Sequence, residues 1–183
     1  MTLHRAGEEV AYTVTWLEMT ARPSYPRPHA PIGKPVALLK AEHPPVWFFL
    51  DLYRAVGAPY EWTDRLRQPV DEVADYVQDP QLHHYTLMRE GWPAGFFHLD
   101  FREAGECDLA YFGLVPEAVG AGLGQWLLQT AIHMAWDGPG VQKVLVNTCT
   151  LDHPAALPLY QKQGFVPVAQ EEATRILSAD REM

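Results

Sequence analysis

The sequence predicts a single α/β (α+β) domain over residues 1–183, built on a mixed sheet flanked by helices. Three observations predict it. Three strand-like segments crowd between residues 82 and 115 with short turns between them, the pattern of an antiparallel meander. The order then becomes helix, strand, helix, strand, which adds crossover elements to that sheet. A length of 183 residues, 48% of them apolar, fits one domain with a substantial core.

The elements follow in order. "VAYTVTWLEM" (10–19) is rich in β-branched and aromatic residues and reads as a first strand. "TARPSYPRPHAPIGKP" carries prolines at 23, 26, 28, 31 and 35. It suits neither a helix nor a central strand and reads as an ordered surface connection. "VALLKAEHPPVWFFLDLYRAVG" contains a helix from about Pro45 to Gly57. "PVDEVADYVQDP" is a short amphipathic helix between prolines. The meander is "LHHYTLMRE", "PAGFFHLDFRE" and "CDLAYFGLV", turned by "GWP" and "AGE". After residue 120, Leu123, Trp126, Leu127, Thr130, Ala131 and Met134 mark one helical face. "VQKVLVNTC" reads as a strand, "HPAALPLYQKQG" as a short helix, and "FVPVAQEEATRIL" as a closing strand pair or tail.

The net charge of −9 argues against nucleic acid as a partner, which needs a basic face. No apolar run reaches the ~20 residues of a membrane helix. The N-terminus shows no signal-peptide core, so a soluble, cytoplasmic protein is expected. Cys107 and Cys149 form no Cys-x-x-Cys pair and read as reduced core thiols. The adjacent His83 and His84 face opposite sides of a strand. His98 and Asp100 share a strand face, as a surface pair or part of an acceptor pocket. No metal-binding motif is present, and no metal is expected.

"VPEAVGAGLGQWLL" (115–128) places glycines at 120, 122 and 124 between a strand and a helix. This is a recipe for anion binding. The first helical N–H groups lack partners, and glycines let a phosphate approach them. No Lys-Ser or Lys-Thr follows, which removes the P-loop. In the dinucleotide pattern the third glycine would stand one residue later. Tight packing of helix on strand is the alternative use of these glycines.

A second block, "LDHPAALPLYQKQGFVPV", follows beyond the next strand. Together the two blocks resemble the GCN5-related N-acetyltransferase (GNAT) superfamily. Val119, Gly122 and Gly124 stand at its [QR]-x-x-G-x-[GA] motif. His153, Ala156, Tyr160, Gly164 and Phe165 stand at N-x-x-A-x-x-x-Y-x-x-x-G-F. Val119 replaces the usual Gln or Arg, and His153 the usual Asn. The resemblance is good over residues 82–168 and loose before them.

The resemblance implies a mostly antiparallel central sheet with a splayed strand pair. Acetyl-CoA as cosubstrate would be bound by a core at about 107–166, with acceptor-side helices at about 36–80. The implied cofactor-binding residues are Leu114, Val115, Val119, Gly120, Ala121, Gly122, Leu123, Gly124, Gln125, His153 and Tyr160. The Leu114 N–H is the implied oxyanion donor, and Tyr160 the implied acid to the coenzyme A thiolate. Asp108, eleven positions before Val119, matches the base of one branch of the family. Strand alternation puts it on one face with Ala110, Phe112 and Leu114; Glu106 is the alternate base. His153 either contacts the cofactor or caps the next helix. Tyr60, Glu61 and Trp62, after Gly57 and Pro59, are read as a loop able to hold a cationic amine.

The expected function is acetyl transfer from acetyl-CoA to a primary amine of a small molecule or peptide, in a ternary complex. The alternative is a non-catalytic acyl-CoA sensor or interaction module. The superfamily's habits admit a homodimer.

Overall fold

The computed structural model describes residues 2–33 and 35–182. A seven-stranded sheet dominates it. Its strands are β2 (Glu9–Met19), β3 (Val36–Ala41), β4 (Leu82–Arg89), β5 (Trp92–Asp100), β6 (Glu106–Leu114), β7 (Lys143–Cys149) and β8 (Val166–Ile176), in the order β3-β4-β5-β6-β7-β2-β8. Every pairing is antiparallel except β6 with β7. Two short strands, β1 (Leu3–His4) and β9 (Arg181–Glu182), form a separate pair that ties the ends together. The mixed, mostly antiparallel sheet expected from the sequence is therefore present.

The helices are α1 (Val46–Gly57), α2 (Asp64–Arg67), α3 (Val70–Val77), α4 (Gly124–Trp136) and α5 (Ala156–Lys162). Gly113 of β6 faces Val56 of α1, whereas its neighbour Leu114 faces Gly124 of α4. Helices α1 and α4 thus cover opposite faces of the sheet. The core between α1, α3 and the meander is aromatic, with Phe49 and Phe96 fully buried. None of the described helices is long and apolar enough to cross a membrane.

The described residues of the Pro-rich segment form no helix or strand, as expected, and lie across the end of α4. Arg22 and Arg27 both pair with Asp137, and the Tyr25 ring meets His133 edge-on at 5.5 Å. Helix α4 itself departs from expectation. Leu128, Ile132 and Ala135 are buried as well as Leu123, Leu127 and Ala131. Trp126, Thr130 and Met134 of the expected face are only half-buried. At about 100° per residue these buried positions form one stripe, turned by roughly a quarter turn from the expected face.

Two further expectations are corrected. Residues 36–41 do not open a helical region; they form strand β3 on β4, with an alternating pattern too short to separate from the helix that follows. The closing segment is neither a strand pair nor a tail. It is one eleven-residue strand antiparallel to β2. It reads ambiguously because β8 is an edge strand with almost no buried residue, so no alternation is imposed on it.

Gly113 is required by packing. A Cβ there would lie 2.3 Å from Val56 Cγ1. Glycine in a strand ordinarily costs stability, so alanine would normally gain. Here Gly113→Ala should instead lose about 1–3 kcal/mol through overpacking. A lowered urea midpoint would show it; an unchanged or raised midpoint would count against this packing.

Candidate active site

Strands β6 and β7 pair in parallel only at three positions: Glu106 with Lys143, Cys107 with Val144, and Asp108 with Leu145. Beyond Asp108 they separate. A cavity of about 660 Å³ opens between them. Residues 109–114 of β6 form one wall, and Asn147 and Cys149 of β7 the other. One end of the cavity reaches Gly120, Gly122 and Gly124; the other reaches Tyr12, Tyr53, Trp62 and Arg175. This is the splayed pair that the family resemblance implies.

The glycine end follows from local backbone chemistry. After β6 a 3-10 turn (Pro116–Ala118) leads into Gly120 and Gly122, at φ of 79° and 73°. Only glycine takes these values at little cost. No side chain caps the start of α4. The first turn of that helix, with Gly124 at its mouth, therefore offers backbone N–H groups to the cavity.

Of the residues assigned to this end, Leu114, Val119, Gly120, Gly122, Gly124, His153 and Tyr160 line the cavity. Ala121 and Gln125 do not, and Leu123 is fully buried beneath the loop. Val115 departs from expectation: its N–H donates to Ala94 O at 3.0 Å and is spent within the sheet. Strand amides alternate between edges, so the same bond turns the Leu114 N–H toward the opening.

His153 Nδ1 accepts from the Ala155 N–H at 3.1 Å, and its ring meets Tyr60 at 6.2 Å. It holds the turn before α5 but does not cap that helix, whose N-cap is Ala155 and whose first turn receives no side-chain bond. Tyr160 is buried against Phe112 and Phe165. Burial first, then the negative charges of Asp152 and Asp108, pushes its hydroxyl well above the ordinary tyrosine value. At neutral pH it carries its proton.

Asp108 is not on the face that alternation predicts. His98 pairs with Tyr111 and Asp100 with Asp108, so β6 spends three steps where β5 spends two. This bulge resets the alternation. Asp108 shares its face with Tyr111 rather than with Phe112 and Leu114, and it lies just beyond the residues lining the cavity. Burial, followed by repulsion from Asp100 and Glu106, raises its carboxyl to about 6. Glu106 is held by Lys143 at 2.8 Å, at the paired end of the strands.

The acceptor-side segment also rearranges. Ala58–Tyr60 is a 3-10 turn rather than open loop. Tyr60 and Trp62 line the cavity, and Trp62 packs on Tyr53 and Tyr111 at 5.5 and 5.6 Å. Glu61 does not join them. It sits in the left-handed region, is 3% exposed, and accepts from the Ser178 N–H at 2.9 Å. It fastens the C-terminal segment and is withdrawn from any role with an amine. Its neighbours gave no sign of this, because its partner stands 117 positions away.

His98 and Asp100 form no surface pair or acceptor pocket. His98 is fully buried, with Nε2 at 2.6 Å from His84 Nδ1 and Nδ1 at 3.2 Å from Tyr76 Oη. Burial drives both imidazoles below their ordinary value, His84 to about 4. Tyr76 in turn lies 3.8 Å beneath the Arg65 guanidinium, whose Nε donates to Tyr111 Oη at 2.9 Å. Cys107 is buried in the core, but Cys149 is half-buried and faces the cavity.

Sequence reasoning passed over Asp152, Asp64 and Arg175, which line the cavity. Asp152 was within reach, since it precedes the family's second motif directly.

A profile of the acetyltransferase (GNAT) family matches residues 47–165. The chain belongs to that family. Among solved structures, a GCN5-related N-acetyltransferase from Kribbella flavida is similar at 18% identity and a TM-score of 0.57, covering 88% of this chain and 56% of that one. Another, from Sphaerobacter thermophilus, matches at 17% identity and a TM-score of 0.61, covering 94% and 51%. An aminoglycoside acetyltransferase from an uncultured soil metagenomic sample matches at 15% identity and a TM-score of 0.56, covering 70% and 87%. These likenesses show the fold. The chain spans about half to two-thirds of the length of the first structures it matches. No curated protein sequence matches it.

The raised carboxyl of Asp108 is also a stability statement. Its folded-state value lies above its ordinary one. The protein is therefore favoured below about pH 4, and that advantage is lost as pH rises through about 6. Asp108→Asn should raise stability by about 2 kcal/mol at pH 8 and by almost nothing at pH 4. Urea denaturation at the two pH values checks this, and equal effects would refute it.

Proposed function

We propose that the chain transfers an acetyl group from acetyl-CoA to a primary amine of a small molecule or peptide. The observation that carries this reading is the continuous cavity from the uncapped start of α4, through the split between β6 and β7, to an aromatic far end. One end suits phosphate and a pantetheine arm, the other an acceptor. Family membership supports the same reaction.

The residues fit the cosubstrate through backbone groups. Gly120, Gly122 and Gly124 border the place for the pyrophosphate at the mouth of α4, and the missing Gln or Arg at Val119 leaves that work to the helix terminus. The cosubstrate supplies the activated acyl group. Leu114 N–H receives the negative charge that develops on the acyl oxygen. The amine attacks the acyl carbon as the carbon–sulfur bond breaks. Its surplus proton passes through water to Asp108, behind Tyr111. Tyr160 gives its proton to the departing sulfur. With Asp108 near 6, the rate rises with pH up to about 6 and then levels off with respect to this group.

Titration calorimetry with acetyl-CoA, followed by a thiol-release assay over an amine panel, tests the reading. Absence of acetyl-CoA binding would end it, and binding without turnover on any amine would favour an acyl-CoA sensor. Tyr160→Phe should lower turnover roughly 10–100-fold while leaving acetyl-CoA affinity intact. Unaffected turnover would remove the acid role. Gly122→Val, forced into the left-handed region at the loop, should weaken acetyl-CoA binding by about 10-fold or more.

A further inference from the structure

The cavity holds one carboxylate that forms no ion pair among the described residues. Asp64, Asp152 and Arg175 are its charged lining residues, with His153 beside them. Arg175 binds both oxygens of Asp64, at 2.6 and 2.7 Å, so these two charges cancel. No ion pair among the described residues involves Asp152. Arg181, bonded beside this loop, donates Nη1 to the carbonyl of Pro59 and Nη2 to that of Leu151.

Asp152 is nevertheless held firmly. Its Oδ2 accepts from Thr148 Oγ1 at 2.7 Å and from the Cys149 N–H at 3.0 Å. Its Oδ1 accepts from Trp62 Nε1 at 3.2 Å. All three donors are neutral. They fix the direction of the carboxylate without forming an ion pair with it, and Oδ1 retains a further acceptor site. Tyr60 and Trp62 border the same space. Asp152 lies between the two halves of the cavity: Trp62 reaches it from the acceptor side, and its charge is felt by Tyr160 on the donor side.

We propose that Asp152, framed by Tyr60 and Trp62, is the docking point for the ammonium group of the acceptor, and that the cavity selects cationic alkylamines over neutral molecules of the same shape. This deepens the acetyl-transfer reading and rests on it for which molecule occupies this end. It gives Asp152 the role that the sequence assigned to Glu61.

The test needs no acetyl donor. Benzylamine, charged at neutral pH, and benzyl alcohol, its uncharged counterpart, are titrated separately into the full chain by calorimetry. Benzylamine should bind roughly 10–100-fold more tightly, the scale of a charge-assisted hydrogen bond. In Asp152→Asn the preference should disappear while benzyl alcohol binds as before. Equal affinity for both probes in the unaltered protein overturns the proposal, as does a preference that survives in the variant. The comparison in the unaltered protein stands whether or not the variant folds. Loss of acetyl-CoA binding would sink the acetyl-transfer reading alone, since the probe pair reports on this site independently.

Discussion

The structure depends on the limited pairing of β6 with β7. Three parallel pairs hold the centre of the sheet together, and then the strands part. A sheet that splits at its centre loses ladder hydrogen bonds, and the freed backbone groups need new partners. Here they face a cavity deep enough for a ligand to supply them. The elements around the split keep it open. Beyond its three pairs β7 is held by β2, which runs beside it to Cys149, while β6 is held by β5 on its other edge. Between these anchored strands the gap is a fixed feature of the fold and need not be formed by the ligand.

The surroundings of the gap divide into a polar backbone end and an aromatic end. At the first, glycines and the mouth of α4 provide donors without side chains. At the second, α1, the 3-10 turn and Trp62 bring rings together over Tyr111. Behind Tyr111, the chain through Arg65, Tyr76, His98 and His84 fills the core with hydrogen-bonded polar groups. Two neutral imidazoles sharing one hydrogen bond can satisfy each other in a dry core, whereas two charged ones could not. This packing fixes the wall that carries Tyr111. Charge is settled the same way: Asp64 and Arg175 pair with each other, which leaves Asp152 as the lining carboxylate without an ion pair among the described residues.

The meander, α1, α3, α4, α5, the glycine loop and the Tyr160 position are legible in the amino-acid sequence, because each rests on local periodicity, turn chemistry or motif spacing. It left β3 unread and β8 uncertain, since a short half-buried strand and an exposed edge strand carry little pattern. It also misjudged two carboxylates. The bulge in β6 shifts Asp108 to the other face, and a bulge has no signature in the residues of one strand alone. Long-range partners decide the rest: Ser178 withdraws Glu61, and Trp62 fixes Asp152 at the cavity wall. Backbone preferences are local and can be read along the chain. The direction and charge balance of a buried side chain depend on groups brought together from far apart, and only the tertiary structure decides them.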